Sequence, residues 1–516
     1  MDVHLLPLTA SYAYNELVAA FAERQRCIRA AHLSHLLCHH ADDLLDDPAR
    51  AEHNRQVAAL YQSIGLETWA WTHEVHHPPP HLLDGQGRLR LDDPQLDGWL
   101  NEKYARFFEE SLPGLTGLVL TFAETQFAVY QDEKVSSSRP PRQRIMALVD
   151  RMRDICHRHG KRLAVRDFVY RLTEVQTMGE TLREMPPDVA VMSKVVPHDW
   201  HPYYPPNPLL GAVGRREQWV EHDLGHEYEG QHLYPFADLE VLRERLAAGA
   251  RAGCRLICIR LDRYAGDTGQ SALDTPWGRR EMQRVLDFAD IRPCDSDAED
   301  EDRLVAGCTE AAKRMLFPAK MWLADHSRLP TYHYAVSHLT DGNADRLGTW
   351  TGDAADLEAE RAFAAMQPAL LEQLREEMDQ ARGKLGACQG LLTGSTEGGL
   401  GKEYTAGVAS LEAWFELWHA FREAFFPLRC LEDSAVGDAG QIARAIERLE
   451  RCCRDAAPWL SGRWLEGEPA GFHRPRARDA RAGAEPADDY PFATAVASLR
   501  DRLEAWERSG PRPSEA

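Results

Sequence analysis

Between about residues 27 and 262 the chain repeats one alternation: a short apolar run, a longer stretch with helical periodicity, then another run. The runs are CIRAAHLSHLL (27 to 37), LETWAWTHE (66 to 74), GLVLTFAET (117 to 125), RLAVRDFVY (162 to 170), VAVMSKVV (189 to 196), QWVEHDLG (218 to 225) and RLICIRLD (255 to 262). Between them, RQRIMALVDRMRDICHRHG (142 to 160) sets Ile145, Leu148, Val149, Met152 and Ile155 on one face and ends on a glycine, as an amphipathic helix does. ADLEVLRERLAAGARAG (237 to 253) repeats the pattern. Strands and helices in regular turn require a parallel sheet. Seven such units, with an eighth strand to be found near Met282 to Phe288, predict a (β/α)8 TIM barrel. That last segment, REMQRVLDF, also suits a helix.

After the acidic run DSDAEDED (295 to 302) strand signals stop, and long amphipathic stretches follow. The expected organisation is an N-terminal helical extension over 1 to 26, a catalytic barrel over 27 to 300 and an all-α C-terminal domain over 301 to 516. Residues 474 to 489, RPRARDARAGAEPADD, have the composition of a disordered segment. A chain of 516 residues exceeds the size at which single cores stop growing, which agrees with two domains.

Charge narrows the partners. Sixty basic residues against eighty-one acidic ones give a net charge of -21, which disfavours nucleic acid and anionic membranes. Eleven cysteines, an odd number and without CxxC pairs, read as reduced thiols rather than a disulfide framework. Residues 1 to 18, MDVHLLPLTASYAYNELV, carry no charged n-region followed by a long apolar run as a signal peptide does, and no stretch approaches the ~20 apolar residues of a membrane span. A cytoplasmic protein is expected, with a homodimer through the helical domain as one possible assembly.

Barrel enzymes work at the C-terminal ends of their strands. Here those ends carry Glu74, Glu124, Asp167, Asp199, Glu221, Asp223 and Asp262, with Glu227 just beyond. Trp71, Trp200, Tyr204 and Tyr228 stand among them, and aromatic faces pack on the apolar faces of sugar rings. Glycosidic cleavage needs two carboxyl groups, one to protonate the leaving oxygen and one to act as nucleophile or to activate water. Arg166, Lys194 and Arg260 lie at or near the ends of the fourth, fifth and seventh runs, where they can either form rim ion pairs or bind a substrate carboxylate such as that of a uronic acid. Glu221 and Asp223 share strand parity with Trp219, so all three point one way.

The block SKVVPHDWHPYYPPNPLLGAVGRREQWVEHDLGHEYEGQ (193 to 231) resembles the family 67 α-glucuronidases. The matching residues are Lys194, Asp199, Trp200, Pro208, Leu209, Gly211, Glu227, Tyr228, Gly230 and Gln231. The resemblance implies a barrel glycosidase, one that acts on small uronic-acid-containing oligosaccharides. It also implies a general acid just before the proline-rich turn, where this chain has Tyr204. Its catalytic pair follows the last strands, where RLDRYAGDTGQSALDTP offers Asp262, Asp267 and Asp274, the last of which also suits a helix cap.

Glu124, Glu227, Glu221 and Asp267 are therefore the catalytic candidates. Arg166, Asp167, Lys194, Asp199, Trp200, Tyr204, Asp223, Tyr228, Asp262, Asp274, Trp71, Glu74 and His35 are the substrate-binding ones. The cluster His32, His35, His39 and His40 raises a metal-dependent hydrolase as an alternative. His32 and His35 fall on opposite faces of a regular strand, so neither metal nor cofactor is expected and His35 or His39 is read as a sugar ligand. A catalytically inactive carbohydrate-binding relative is the remaining alternative.

Overall fold

The computed structural model describes residues 15–20, 28–33, 41–63, 67–169, 174–197, 200, 204–224, 226, 235–254, 256–260, 275–288, 299–316, 368–394, 401–434, 437–456 and 491–509. The strands among them are β1 (Asn15–Ala20), β2 (Ile28–Leu33), β3 (Glu67–His73), β4 (Leu89–Arg90), β5 (Gly117–Thr121), β6 (Val135–Ser136), β7 (Arg162–Arg166), β8 (Ala190–Lys194), β9 (Gln218–Asp223) and β10 (Leu256–Arg260). Eight of them close a barrel in the order β1-β10-β9-β8-β7-β5-β3-β2, while β4 and β6 form a small separate ladder.

Seven barrel strands, β2 through β10 in that ring, pair in parallel. The eighth is β1, antiparallel to both β10 and β2. This corrects two expectations of a uniform (β/α)8 barrel. The segment from Met282 to Phe288 belongs to the helix Pro276–Phe288 rather than to a strand, and part of the N-terminal stretch expected as helix is a strand. NELVAA carries good helix formers, but it closes the ring between β10 and β2, and such pairing overrides local propensity.

Helices Pro48–Ser63, Gln95–Arg106, Pro141–Arg158, Val175–Glu184 and Leu239–Arg251 fall between successive parallel strands. Between β8 and β9 the described residues contain no helix; a turn at 207–211 stands there instead. Gly211 has φ +74, and a Cβ on it would meet the Ala252 carbonyl at 3.0 Å, so only glycine lets this turn lie so close to the end of the neighbouring helix.

The barrel interior is filled by alternate side chains. Trp69, Trp71, Val119, Ala164, Ala190, Met192, Trp219, Leu256 and Cys258 form one buried cluster. Leu118, Leu120, Leu163, Val165 and Val191, of opposite parity, join the outer cluster under the helices. Bulky and small residues complement each other across the interior: the Trp69 and Trp219 rings meet edge to face at 5.0 Å. A Cβ on Gly117 would lie 2.5 Å from Trp69 and 2.4 Å from the Arg162 carbonyl, so the absence of a side chain there makes room for the indole.

The chain divides into two compact units: Met1–Leu224 with Glu240–Ala265 and Met282–Cys294, and Gly225–Leu239 with Gly266–Glu281 and Asp295–Ala516. The second is helical, with Glu299–Leu316, Pro368–Gly394, Lys402–Ser434, Ala439–Ala456 and Pro491–Ser509 as its main elements. Its core is rich in aromatics of the longest helix, including Trp414, Trp418, Phe421 and Phe425. The described cysteines of both units are free thiols. Among the described residues no helix is long and apolar enough to cross a membrane.

Candidate active site

Strand parity decides which polar side chains enter the barrel. At the N-terminal end, Arg162 on β7 pairs with Glu217 at 3.1 Å, while the Trp219 and Trp69 indoles donate to Glu217 and Glu67 at 3.1 and 3.3 Å. The tryptophan layer seals the middle. Above it, at the C-terminal ends, the inward positions become Trp71 and His73 on β3, Thr121 on β5, Arg166 on β7, Lys194 on β8, Glu221 and Asp223 on β9 and Arg260 on β10.

Arg166 grips Glu221 with two parallel bonds, Nε to Oε2 at 2.7 Å and Nη2 to Oε1 at 2.8 Å. Arg260 Nε stands 3.7 Å from Glu221 Oε1. Both guanidinium groups and the carboxylate are essentially removed from solvent, at 3%, 2% and 0% side-chain exposure. A buried carboxylate costs several kcal/mol unless paired in this way. Aromatic faces line the same cations. Arg166 lies 4.6 Å from the Trp71 ring, Lys194 4.1 Å from Phe168 and 4.7 Å from Trp200, and Arg260 5.2 Å from Trp200. Asp223 ends β9 in register with Arg260 and is half-buried. Three cations and two carboxylates thus meet on the inner face of the barrel's C-terminal end.

Glu124 follows β5 in a turn with φ +53, a backbone conformation that costs a residue with a Cβ on the order of 1 kcal/mol or more. The turn is clamped on both sides: Ala123 O accepts from His73 Nδ1 at 2.9 Å, and Thr125 Oγ1 donates to Val75 O at 2.8 Å. Glu124 itself is half-buried, while Trp200 and Tyr204 are buried in the segment after β8.

Two predicted ligands face the other way. Glu74 has the parity of Thr72 and lies outside the barrel wall, where Tyr104 donates to it at 2.6 Å, Lys103 pairs with it at 2.8 Å and His76 N donates at 3.0 Å. Lys103 also holds Asp42 at 2.6 Å. Burial, then the charge of Glu74, drives the Tyr104 phenol well above its ordinary range, so it stays a donor. The expectation that Glu74 lines the mouth is therefore corrected.

Asp167 likewise points outward. Burial pushes its carboxyl up to about 7, with the charge of Glu221 adding to the rise and bonds from Ser193 and Lys194 and the charge of Arg166 opposing it. Asn207 donates to Asp167 at 3.2 Å and to the Lys194 carbonyl at 2.9 Å, and accepts from Leu209 N at 2.9 Å. Gln218 ties Ser193 Oγ, the Leu209 carbonyl and Gly211 N together at 2.8, 3.0 and 2.8 Å. Asp167 thus fastens the 207–211 turn to β8 and β9 rather than meeting a ligand. On the same outer side His222 is fully buried, and burial, with Arg245 nearby, lowers its imidazole to about 3.

His35, His39, Asp199, Glu227, Tyr228, Asp262, Asp267 and Asp274 lie outside the described residues. His73 and Thr121 are inward positions that the sequence reading passed over. Counting by twos from Trp69 and Trp71 reaches His73, and from Val119 reaches Thr121, so the parity used for β9 would have found both. Among the described residues no three His, Cys, Asp or Glu side chains are grouped to hold a metal.

No protein-family model matches the chain, and no curated protein matches it. The likeness to family 67 thus rests on its motif residues alone. Among solved structures the chain is similar to one described as a GH138 enzyme targeting pectin rhamnogalacturonan II, at 10% identity and a TM-score of 0.49. The match covers 89% of this chain and 58% of that one, so the chain spans less than two thirds of that structure's length.

Proposed function

We propose that the protein is a glycoside hydrolase acting on small oligosaccharides that carry a uronic acid. One observation carries this reading: buried cations, ion-paired carboxylates and indole faces converge on the inner side of the strands' C-terminal ends. Glu221, ion-paired with Arg166, would serve as the nucleophile or as the base that activates water. Glu124, half-buried and set on a clamped turn after β5, would serve as the general acid. Lys194 and Arg260 bring positive charge to the same inner face and would take the substrate's own carboxylate. Trp71 and Trp200 would stack on its ring. The enzyme would work in the cytoplasm without a cofactor, its helical part serving as a possible dimer surface.

The test is turnover of a panel of glucuronosyl, galacturonosyl and neutral oligosaccharides by the wild type and by Glu124→Gln. Release of uronic acid that drops at least about a hundredfold in the variant is the expected result. Wild-type inactivity on the whole panel would sink the hydrolase reading. A second reading, a carbohydrate-binding protein without turnover, is favoured by the two-point lock of Arg166 on Glu221. It predicts calorimetric sugar binding in the same panel with no hydrolysis.

A further inference from the structure

The two connections that leave the C-terminal ends of β3 and β5 run side by side. Phe127 N donates to Val75 O at 3.1 Å, and His77 N donates to Gln126 Oε1 at 3.0 Å. Farther along, in the ladder of β4 and β6, Leu89 N donates to Lys134 O at 3.0 Å and Leu91 N to Ser136 O at 3.3 Å. Leu89, Leu91 and Val135 are buried in the outer hydrophobic cluster, which anchors the ladder from beneath. Beside it opens a cavity of about 650 Å³. Sites for small molecules span roughly 300 to 1,000 Å³, and the connections at this end of a barrel are where they are built.

The lining decides what such a cavity takes. Arg88, Arg90, Asp92 and Asp93 come from the first connection, Asp132 and the serines 136 to 138 from the second. Each of these charges is already matched: Arg88 by Asp84 at 2.9 Å, Arg90 by Asp93 at 3.3 Å, Asp92 by Arg139 at 3.1 Å and Asp132 by Arg144. A charged ligand would find no net opposite charge here, which favours a neutral one. The pairs also hold guanidinium and carboxylate planes in place, so donors and acceptors stand together before anything binds. Asp92 accepts from Ser137 Oγ at 2.8 Å and from Ser138 N at 3.2 Å. The Ser136 and Ser138 hydroxyls line the cavity without a hydrogen-bond partner among the described residues. Neutral groups that both donate and accept are the natural complement of such a surface, and hydroxyls are of that kind.

We propose that this cavity is a second carbohydrate site, one for uncharged sugar units. Arg88 and Arg90 donate to sugar oxygens, Asp92 and Asp93 accept from sugar hydroxyls, and Ser136 and Ser138 do either. Its charge sets it apart from the inner face of the barrel, where three cations meet two carboxylates. The choice of a sugar among neutral, hydroxyl-rich molecules rests on the function proposed above; the cavity and its charge balance do not.

The double variant Ser136→Ala, Ser138→Ala deletes two hydroxyls that bond nothing in the fold, so it should melt within about 2 °C of the wild type. Arg90→Met removes a donor from the other connection at an exposed position. Xylotetraose, cellotetraose, maltotetraose and digalacturonic acid are titrated calorimetrically into the full chain in all three forms. A neutral tetrasaccharide should bind the wild type and lose about tenfold in affinity in each variant. Unchanged affinity in either variant overturns the site. Tighter binding of digalacturonic acid than of every neutral probe, lost in the same variants, overturns it too, because the cavity would then select charge. A wild type that binds no neutral probe overturns the site and leaves the hydrolase to its own turnover panel. Neutral-sugar binding that both variants weaken, without turnover of that panel, leaves the site standing and sinks the hydrolase.

Discussion

Glu74 and Glu221 are chemically the same object in two settings. Each is a fully buried carboxylate at or just past the C-terminal end of a parallel strand, and each is held by a cation, Lys103 for one and Arg166 for the other. They differ in one bit of strand parity. Glu74 faces the helix layer, where Tyr104, Lys103 and the His76 amide saturate it. Glu221 faces the barrel interior, beside Arg260 and on the same face as Asp223. Burial and ion pairing alone therefore do not separate the two carboxylates; the face of the sheet on which each stands does.

The sharpest way to break the contrast is Glu221→Gln, which should cut turnover about a thousandfold or more with the fold retained by circular dichroism. Glu74→Gln should leave turnover within about threefold below its melting temperature. If both variants behave alike, the parity argument fails. Next in size, Lys103→Met strands Glu74 and Asp42 without their shared cation, and a loss of about 3 to 5 kcal/mol is expected from urea unfolding. A loss under about 1 kcal/mol would mean that the outer pair is not the structural one.

The outer face should also set the pH dependence of stability, in two opposed pieces. Asp167, raised to about 7 from an ordinary 3.8, keeps a proton when folded that the unfolded chain has released, so its contribution falls as pH climbs between those values. His222, lowered to about 3 from 6.5, refuses a proton that the unfolded chain takes up, so its contribution grows with pH over that window. Melting temperatures measured from pH 4 to 6.5 should rise with pH in Asp167→Asn and fall with pH in His222→Gln, with the wild type between them. Coincident profiles would remove both assignments. Smallest is Asn207→Ala, which unfastens the 207–211 turn and should cost about 1 to 2 kcal/mol by denaturant midpoint.

The same contrast explains what the sequence made legible. The alternation of apolar runs and amphipathic stretches revealed seven barrel strands, because each run is short and apolar and all but the run of β8 are followed by a described helix before the next strand or the end of the barrel. The closing strand was not legible. NELVAA has no strand pattern of its own and becomes one only between β10 and β2, a pairing set by the whole ring. In the site, Trp219, Glu221 and Asp223 could be read as one face because a tryptophan marks it. Glu74 has the chemistry of a ligand at the end of LETWAWTHE, but the alternation that turns Trp69 and Trp71 inward gives the inner face to His73. Asp167 misled in the same way, one position beyond Arg166. A carboxylate's partner on the outer side, Lys103 for Glu74 or Asn207 for Asp167, lies tens of residues away and carries no local signal.

The strand that closes the barrel also sets a schedule for synthesis. β1 is synthesised before the other barrel strands, and β2 can pair with it at once as an antiparallel neighbour. Its other edge must wait for β10, whose residues follow more than two hundred positions later, roughly 10 to 50 s at ordinary elongation rates. Throughout that interval the nascent chain carries an open strand edge that any passing strand can extend. The last step of barrel formation is therefore the joining of the oldest segment to the newest, and the nascent chain must be kept from aggregating until it occurs.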